Sequence, residues 1–123
     1  MVVMKTLKSI PSERDEQIAF VKWIKLKGYR VVASANGGSR NLIEAVNLKR
    51  MGVSKGFPDI FVPLVSGNLS GFFVEMKRRS GGKATNEQKE WIDYLNENGY
   101  FAVVSYGCEE AINYFNYYIT FKQ

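Results

Sequence analysis

Two apolar segments in the middle of the chain carry charged residues where strand-like sequence is otherwise uncharged. The first, residues 59–65, begins with Asp59, and the second, residues 71–77, ends with Glu75 and Lys77. A charged side chain is costly to bury unless it has a charged partner or binds a metal ion. These three residues therefore constrain the fold more than any other feature, because the chain must supply something that stabilises them.

The spacing of the charges predicts how they are arranged. Side chains alternate between the two faces of a strand, so Glu75 and Lys77 point to the same face. The turn residues Ser66-Gly67-Asn68 between the two segments predict an antiparallel hairpin, which can place Asp59 beside Glu75. Two adjacent carboxylates repel each other unless a cation joins them.

A divalent cation bound through oxygen satisfies this arrangement. Mg²⁺ accepts one or two carboxylates together with water and phosphate oxygens. We therefore predict Asp59 and Glu75 as metal ligands, with the backbone carbonyl of Met76 as a further oxygen and Glu16 as an additional ligand from an upstream helix. Lys77 would orient or help to deprotonate an attacking water, or stabilise charge on a phosphate.

Composition excludes several other kinds of site. The chain has 123 residues, one cysteine and no histidine. The length favours a single domain spanning residues 1–123, with a core over about residues 12–119. An intramolecular disulfide is impossible, and catalytic arrangements or zinc sites that need histidine are excluded. An enzyme with this composition depends on carboxylates, lysine and an oxygen-bound metal.

Charge is distributed unevenly. The net charge is +5, and the segment from Lys22 to Lys83 holds 12 basic and three acidic residues. A polyanionic partner explains this excess, although a solvated basic surface is the alternative. The residues predicted to contact DNA are Asn36, Arg40, Lys55, Arg78, Arg79 and Lys83.

Hydrophobic periodicity and end signals predict the element order α-β-α-β-β-α-β-α. The first helix begins after Ser12 and ends near Gly28, and a later helix begins at a Thr85–Gln88 capping box. Alternation of helices and strands around a central hairpin predicts an α/β fold, with a mixed sheet flanked by helices. The N-terminus is charged too soon for a signal peptide, so we expect an intracellular, cytoplasmic protein.

These residues resemble a known nuclease family. Pro58-Asp59 followed by Glu75-Met76-Lys77 resembles the PD-(D/E)XK nuclease superfamily, and within it the VRR-Nuc (virus-type replication-repair nuclease) family. Gly56-Phe57 before the first motif and the run from Thr85 to Trp91 add to the resemblance. The resemblance implies a restriction-endonuclease-like αβββαβ core and a DNA endonuclease that uses Mg²⁺ or Mn²⁺.

The resemblance also assigns roles to individual residues. Asp59 and Glu75 would be metal ligands, Lys77 the catalytic lysine, and Gln88 a residue that supports the site or a phosphate. Glu16 is our choice for the acid of the first helix, and Glu13 is the competing choice because both precede Gln17. Stand-alone members are expected to be homodimers that resemble Holliday-junction resolvases in size, so branched DNA in phage or mobile-element replication, recombination or repair is the expected substrate.

Two other functions are compatible with the sequence. One is a non-catalytic nucleic-acid-binding module with a basic surface. The other is a protein-interaction module, for which the tyrosines of the last helix would form the interface; they are Tyr114, Tyr117 and Tyr118. The set of Asp59, Glu75 and Lys77 favours the nuclease, because binding alone does not need clustered acids facing phosphate.

Overall fold

A computed structural model describes residues 9–34 and 41–121. Its elements follow the predicted order. They are α1 (Glu13–Leu26), β1 (Val32–Ala33), α2 (Leu42–Arg50), β2 (Ile60–Val62), β3 (Phe72–Lys77), α3 (Asn86–Glu97), β4 (Phe101–Tyr106) and α4 (Cys108–Tyr118), with a short 3₁₀ turn at Ile119–Phe121. No helix in the described part of the chain is both long and apolar enough to cross a membrane.

Local signals set the helix ends. The Ser12 hydroxyl accepts a hydrogen bond from the Asp15 amide at the start of α1, and Asn41 caps α2 in the same way. The N-terminus of α3 has the full capping box, in which Thr85 and Gln88 each satisfy the backbone amide of the other. These contacts confirm the helix starts predicted from Ser12 and Thr85.

The four strands form one mixed sheet in the order β1-β2-β3-β4. The β1–β2 and β2–β3 pairs are antiparallel, and β3–β4 is parallel. The predicted central hairpin and mixed sheet are confirmed. β2 is shorter than predicted and ends at Val62, because Pro63 follows it and has no amide hydrogen to continue the ladder.

β3 is the central element of the core, and all six of its residues are buried. On one face, Phe72 packs edge-on against Phe115 of α4 with ring centroids 5.2 Å apart. The same face carries Val74 and Met76, which pack with residues of α1 and α4. On the other face, Phe73 packs with Leu95 of α3. Helices thus cover both faces of the sheet.

The two faces of β3 end differently. The face covered by α1 and α4 is apolar to its last residue, Met76, whereas the face covered by α3 changes from Phe73 to Glu75 and Lys77. α2 lies outside both cores and has no buried residue. The sheet therefore presents polar side chains at the C-terminal end of β3, on the side of α3.

Candidate active site

The alternation of β3 and the register of the hairpin bring Asp59, Glu75 and Lys77 together. Glu75 and Lys77 are only 2% and 7% exposed. Ile60 pairs with Val74, so the next position of the antiparallel register places Asp59 opposite Glu75. A carboxylate oxygen of Asp59 accepts a hydrogen bond of 2.8 Å from the Met76 amide, which fixes Asp59 at the end of the strand.

A third acid completes the group. Glu13, Asp59 and Glu75 each offer a carboxylate oxygen, and these oxygens lie within 4.8 Å of one another. Two oxygens bound to one Mg²⁺ lie at most about 4.2 Å apart, so the three carboxylates are close to the separation that a shared cation needs. Glu13 reaches the group from the first turn of α1.

This crowding of acids changes the protonation of Glu75. Burial and the nearby carboxylate of Asp59 raise the pKa of Glu75 to about 9, and the Lys77 ammonium opposes this only in part. Without a cation, Glu75 therefore holds a proton at neutral pH. A divalent ion would compensate the negative charge and favour the ionised form.

The two oxygens of Glu75 have different surroundings. Oε2 accepts a hydrogen bond of 3.0 Å from the Gln88 side-chain amide and lies 3.8 Å from the Lys77 ammonium. Oε1 is buried and accepts no hydrogen bond from any described residue, and in the protonated form the Glu75 carboxyl shares its proton with Asp59. A buried oxygen without a donor is costly, and a bound cation is one way to satisfy it.

Gln88 is held at both ends of its amide. Its oxygen accepts from the Thr85 amide at 2.8 Å, and its nitrogen donates to Glu75. The helix cap of α3 therefore also orients the Glu75 carboxylate. Gln88, which the family resemblance predicts as a support for the site, thus contacts Glu75 directly.

Glu16 does not join the acidic group. Its carboxylate is buried and accepts a hydrogen bond of 2.8 Å from Arg79 and one of 2.9 Å from the Cys108 amide. The hydrogen bond from Arg79 is the main reason that the pKa of Glu16 is lowered. Between the two acids considered for α1, the structure favours Glu13 over our choice of Glu16, because α1 turns Glu16 toward Arg79 and α4.

The predicted DNA contacts are dispersed. Lys55 lines the cleft that contains the acids. The Arg78 guanidinium donates a hydrogen bond to the carbonyl of Ile10, and the Arg79 guanidinium is paired with Glu16. Lys83 is exposed on the loop before α3. Asn36 and Arg40 lie outside the described residues, and the Met76 carbonyl remains a predicted ligand.

The cleft itself has a volume of about 810 Å³. Its walls include residues outside the predicted set of site residues; these are Ala45, Leu48, Lys49, Thr85 and Trp91. Ala45, Leu48 and Lys49 share one face of α2 because they are three and four positions apart. That periodicity was visible in the sequence, but it could not show that this face borders the acids.

Comparison with known proteins agrees with this geometry. The VRR-NUC domain model matches residues 3–109. A solved structure described as a VRR_NUC domain protein is 30% identical and superimposes with a TM-score of 0.81, covering 95% of this chain and 94% of that chain. Comparison with curated proteins gave no significant match. The family match and the shared fold show that this chain belongs to the VRR-NUC family of nuclease-like domains.

Proposed function

We propose that this chain is a metal-dependent DNA endonuclease that hydrolyses phosphodiester bonds. The observation that carries the proposal is the unpartnered Oε1 of Glu75, buried in a group of three carboxylates at a large cleft. Oxygen ligands of this type suit Mg²⁺ or Mn²⁺. Glu13, Asp59 and Glu75 are the residues that would hold the ion.

Each residue of the site has a task in this proposal. When bound, the cation would neutralise charge on the phosphate and make water more acidic. Lys77 stabilises negative charge on the phosphate or orients the attacking water, and its burial keeps the ammonium in place. Gln88 donates a hydrogen bond to Oε2 of Glu75, which leaves Oε1 to bind the cation. Lys49 and Lys55 on the cleft wall attract the DNA backbone.

Branched DNA is the substrate class that we propose, as in Holliday-junction resolvases of phages or mobile elements. Such an enzyme would work as a homodimer, because two sites related by symmetry can cut opposite strands of a junction. Exposed apolar side chains at α2 support self-association: Leu42 and Ile43 on the helix and Met51 directly after it are each more than 70% exposed. Acting on cellular DNA, the protein would be located in the cytoplasm.

A cleavage assay tests the function. Purified protein is incubated with labelled four-way junction, flap, single-stranded and duplex DNA in the presence of Mg²⁺, Mn²⁺ or EDTA. We expect cleavage with either metal and none with EDTA. Binding without cleavage under every condition would instead identify a non-catalytic DNA-binding module. Sedimentation analysis tests the dimer, and a strict monomer on DNA would contradict paired cutting.

A matched pair of variants controls the assay. Asp59→Asn removes one acid of the group and should abolish cleavage while DNA binding is retained or improved, because a negative charge facing phosphate is lost. Asp93→Asn makes the same chemical change at an exposed position of α3 that does not line the cleft. Equal loss of cleavage in both variants would contradict a specific role for Asp59.

A further inference from the structure

A second, smaller cavity adjoins the active-site cleft. It has a volume of about 370 Å³ and is lined by Lys55, Glu87, Glu90, Trp91 and Tyr94. Lys55 and Trp91 also line the larger cleft, so the two cavities are neighbours that share these side chains as walls. A DNA strand that leaves the cleft past Lys55 and Trp91 would reach this cavity.

The walls of the small cavity are fixed by close packing. Gly56 has a φ of +90°, and a Cβ built on it would lie 2.7 Å from the backbone of Glu87. Only glycine allows this approach, and it holds Lys55 against the first turn of α3. On the other side, the Phe57 ring meets Trp91 edge-on with centroids 5.0 Å apart, which fixes the indole between the two cavities.

Tyr94 provides an accessible aromatic face. It lies one turn beyond Trp91 on α3, with ring centroids 5.8 Å apart and planes nearly perpendicular. Tyr94 is 56% exposed, so much of its surface is free of protein contact. An exposed aromatic ring beside a DNA-binding cleft is a surface on which a base can stack.

The charges at the cavity indicate which part of a nucleotide enters. Glu87 and Glu90 repel a phosphate, but their carboxylates can accept hydrogen bonds from the amino groups of adenine, cytosine or guanine. Lys55, at the boundary with the cleft, attracts the phosphate that links the two sites. We propose that this cavity binds one unpaired nucleobase of the DNA strand that occupies the active-site cleft, with the base stacked on Tyr94 and edge-on to Trp91.

This proposal rests on the proposed nuclease function and specifies its substrate. A base within a duplex is stacked on both faces and paired along one edge, so it must leave the stack to enter a protein cavity. DNA that already has an unpaired nucleotide beside the cleavage site, at a flap or an open branch, avoids that energetic cost. The cavity therefore favours such DNA over continuous duplex, and favours bases with an amino group over thymine.

Fluorescence of 2-aminopurine tests the cavity directly. A flap DNA carries this base at the unpaired position next to the junction and is bound by Asp59→Asn protein, which we expect not to cleave. We expect quenching on binding, and about tenfold weaker binding with loss of the quenching when Tyr94→Ala is added. Tyr94→Phe keeps the ring and should retain both signals. Tyr117→Ala, at a tyrosine that is 58% exposed on α4, should change neither.

An abasic flap and a cleavage assay complete the test. Removing the base should weaken binding to the otherwise unchanged protein about as much as Tyr94→Ala does, and the two changes together should have no further effect. Unchanged affinity and quenching in Tyr94→Ala, or equal binding of abasic and normal flaps, would refute the cavity. If the wild type cleaves DNA but Tyr94→Ala has no effect, the nuclease function stands and the base-binding cavity is refuted. If quenching depends on Tyr94 but no DNA is cleaved, the base-binding cavity is supported and the nuclease function is refuted.

Discussion

Replacing Glu75 by glutamine should stabilise the metal-free protein at neutral pH. Glutamine resembles the protonated form of Glu75 and can still accept the hydrogen bond from Gln88. The wild-type carboxyl has an ordinary pKa of 4.5 when unfolded and one of about 9 in the folded protein. Folding at pH 7 therefore requires proton uptake by this group, and the variant does not have that requirement.

The size of the effect follows from the same values. The interval from pH 4.5 to pH 7, at about 1.4 kcal/mol per pH unit, corresponds to at most about 3 kcal/mol in the free energy of unfolding. Because the folded pKa is the higher one, the contribution of Glu75 to wild-type stability is fully present below pH 4.5 and is lost as the pH rises toward 9. The stability difference between the two proteins should therefore be near zero at pH 4 and grow with pH.

Added metal should largely offset this difference at pH 7. A cation held by the ionised carboxylate stabilises only the folded wild type, by about 2.7 kcal/mol at a concentration 100 times the dissociation constant. Urea denaturation is followed by tryptophan fluorescence at pH 5, 7 and 8.5, in EDTA and in Mg²⁺. If the stability difference in EDTA does not change from pH 5 to pH 8.5, the raised pKa of Glu75 is refuted.

Glu16→Gln is the matched control at the second buried glutamate. Arg79 lowers the pKa of Glu16, so its contribution to stability is present above pH 4.5 and is lost as the solution becomes more acidic. This variant should be less stable than the wild type at pH 7, and the difference should decrease in acid. Mg²⁺ should stabilise it as it does the wild type, because Glu16 lies outside the acidic group.

Two further predictions concern the active-site lysine and the loop before Asp59. Lys77→Met removes the ammonium but fills its buried space, so single-turnover cleavage should slow by about 100-fold or more while Mg²⁺ still raises the melting temperature; unchanged cleavage would contradict its catalytic role. Gly56→Ala combines an unfavourable positive φ with a backbone clash and should destabilise by more than about 2 kcal/mol, compared with about 1 kcal/mol for Gly28→Ala, where φ is also positive but the space is open. Denaturant unfolding measures both glycine variants, and equal losses would show that the close packing at Gly56 adds nothing.

Local patterns in the sequence were enough to predict much of the fold and part of the site. Alternation along β3 places Glu75 and Lys77 on one face because the side-chain period of a strand is fixed. The capping box at Thr85 likewise fixes Gln88 in the first turn of α3, from which it reaches Glu75. These local features lie within one element, whereas the contact of Gln88 with Glu75 depends on how α3 packs on β3, and its role at the site was predicted from the family resemblance.

Relations between distant elements could not be predicted in this way. Glu13 and Glu16 lie three positions apart on α1, and only the rotation of the packed helix decides which one reaches Asp59. The partner of Glu16 is Arg79, which is 63 positions away and follows β3. The small cavity was missed for the same reason, because Lys55 and Tyr94 line one cavity only after the loop before β2 packs on α3.

The hairpin register also has a consequence for the order of folding. β2 and β3 are joined by a short connection and can pair early, whereas the parallel pairing of β3 with β4 must wait for the crossover through α3. If this hairpin pairs first, Asp59 lies opposite Glu75 and two like charges meet before Gln88 is in position. Alkaline conditions without metal should therefore slow refolding, and a divalent ion present from the start would act as an assembly factor for the sheet.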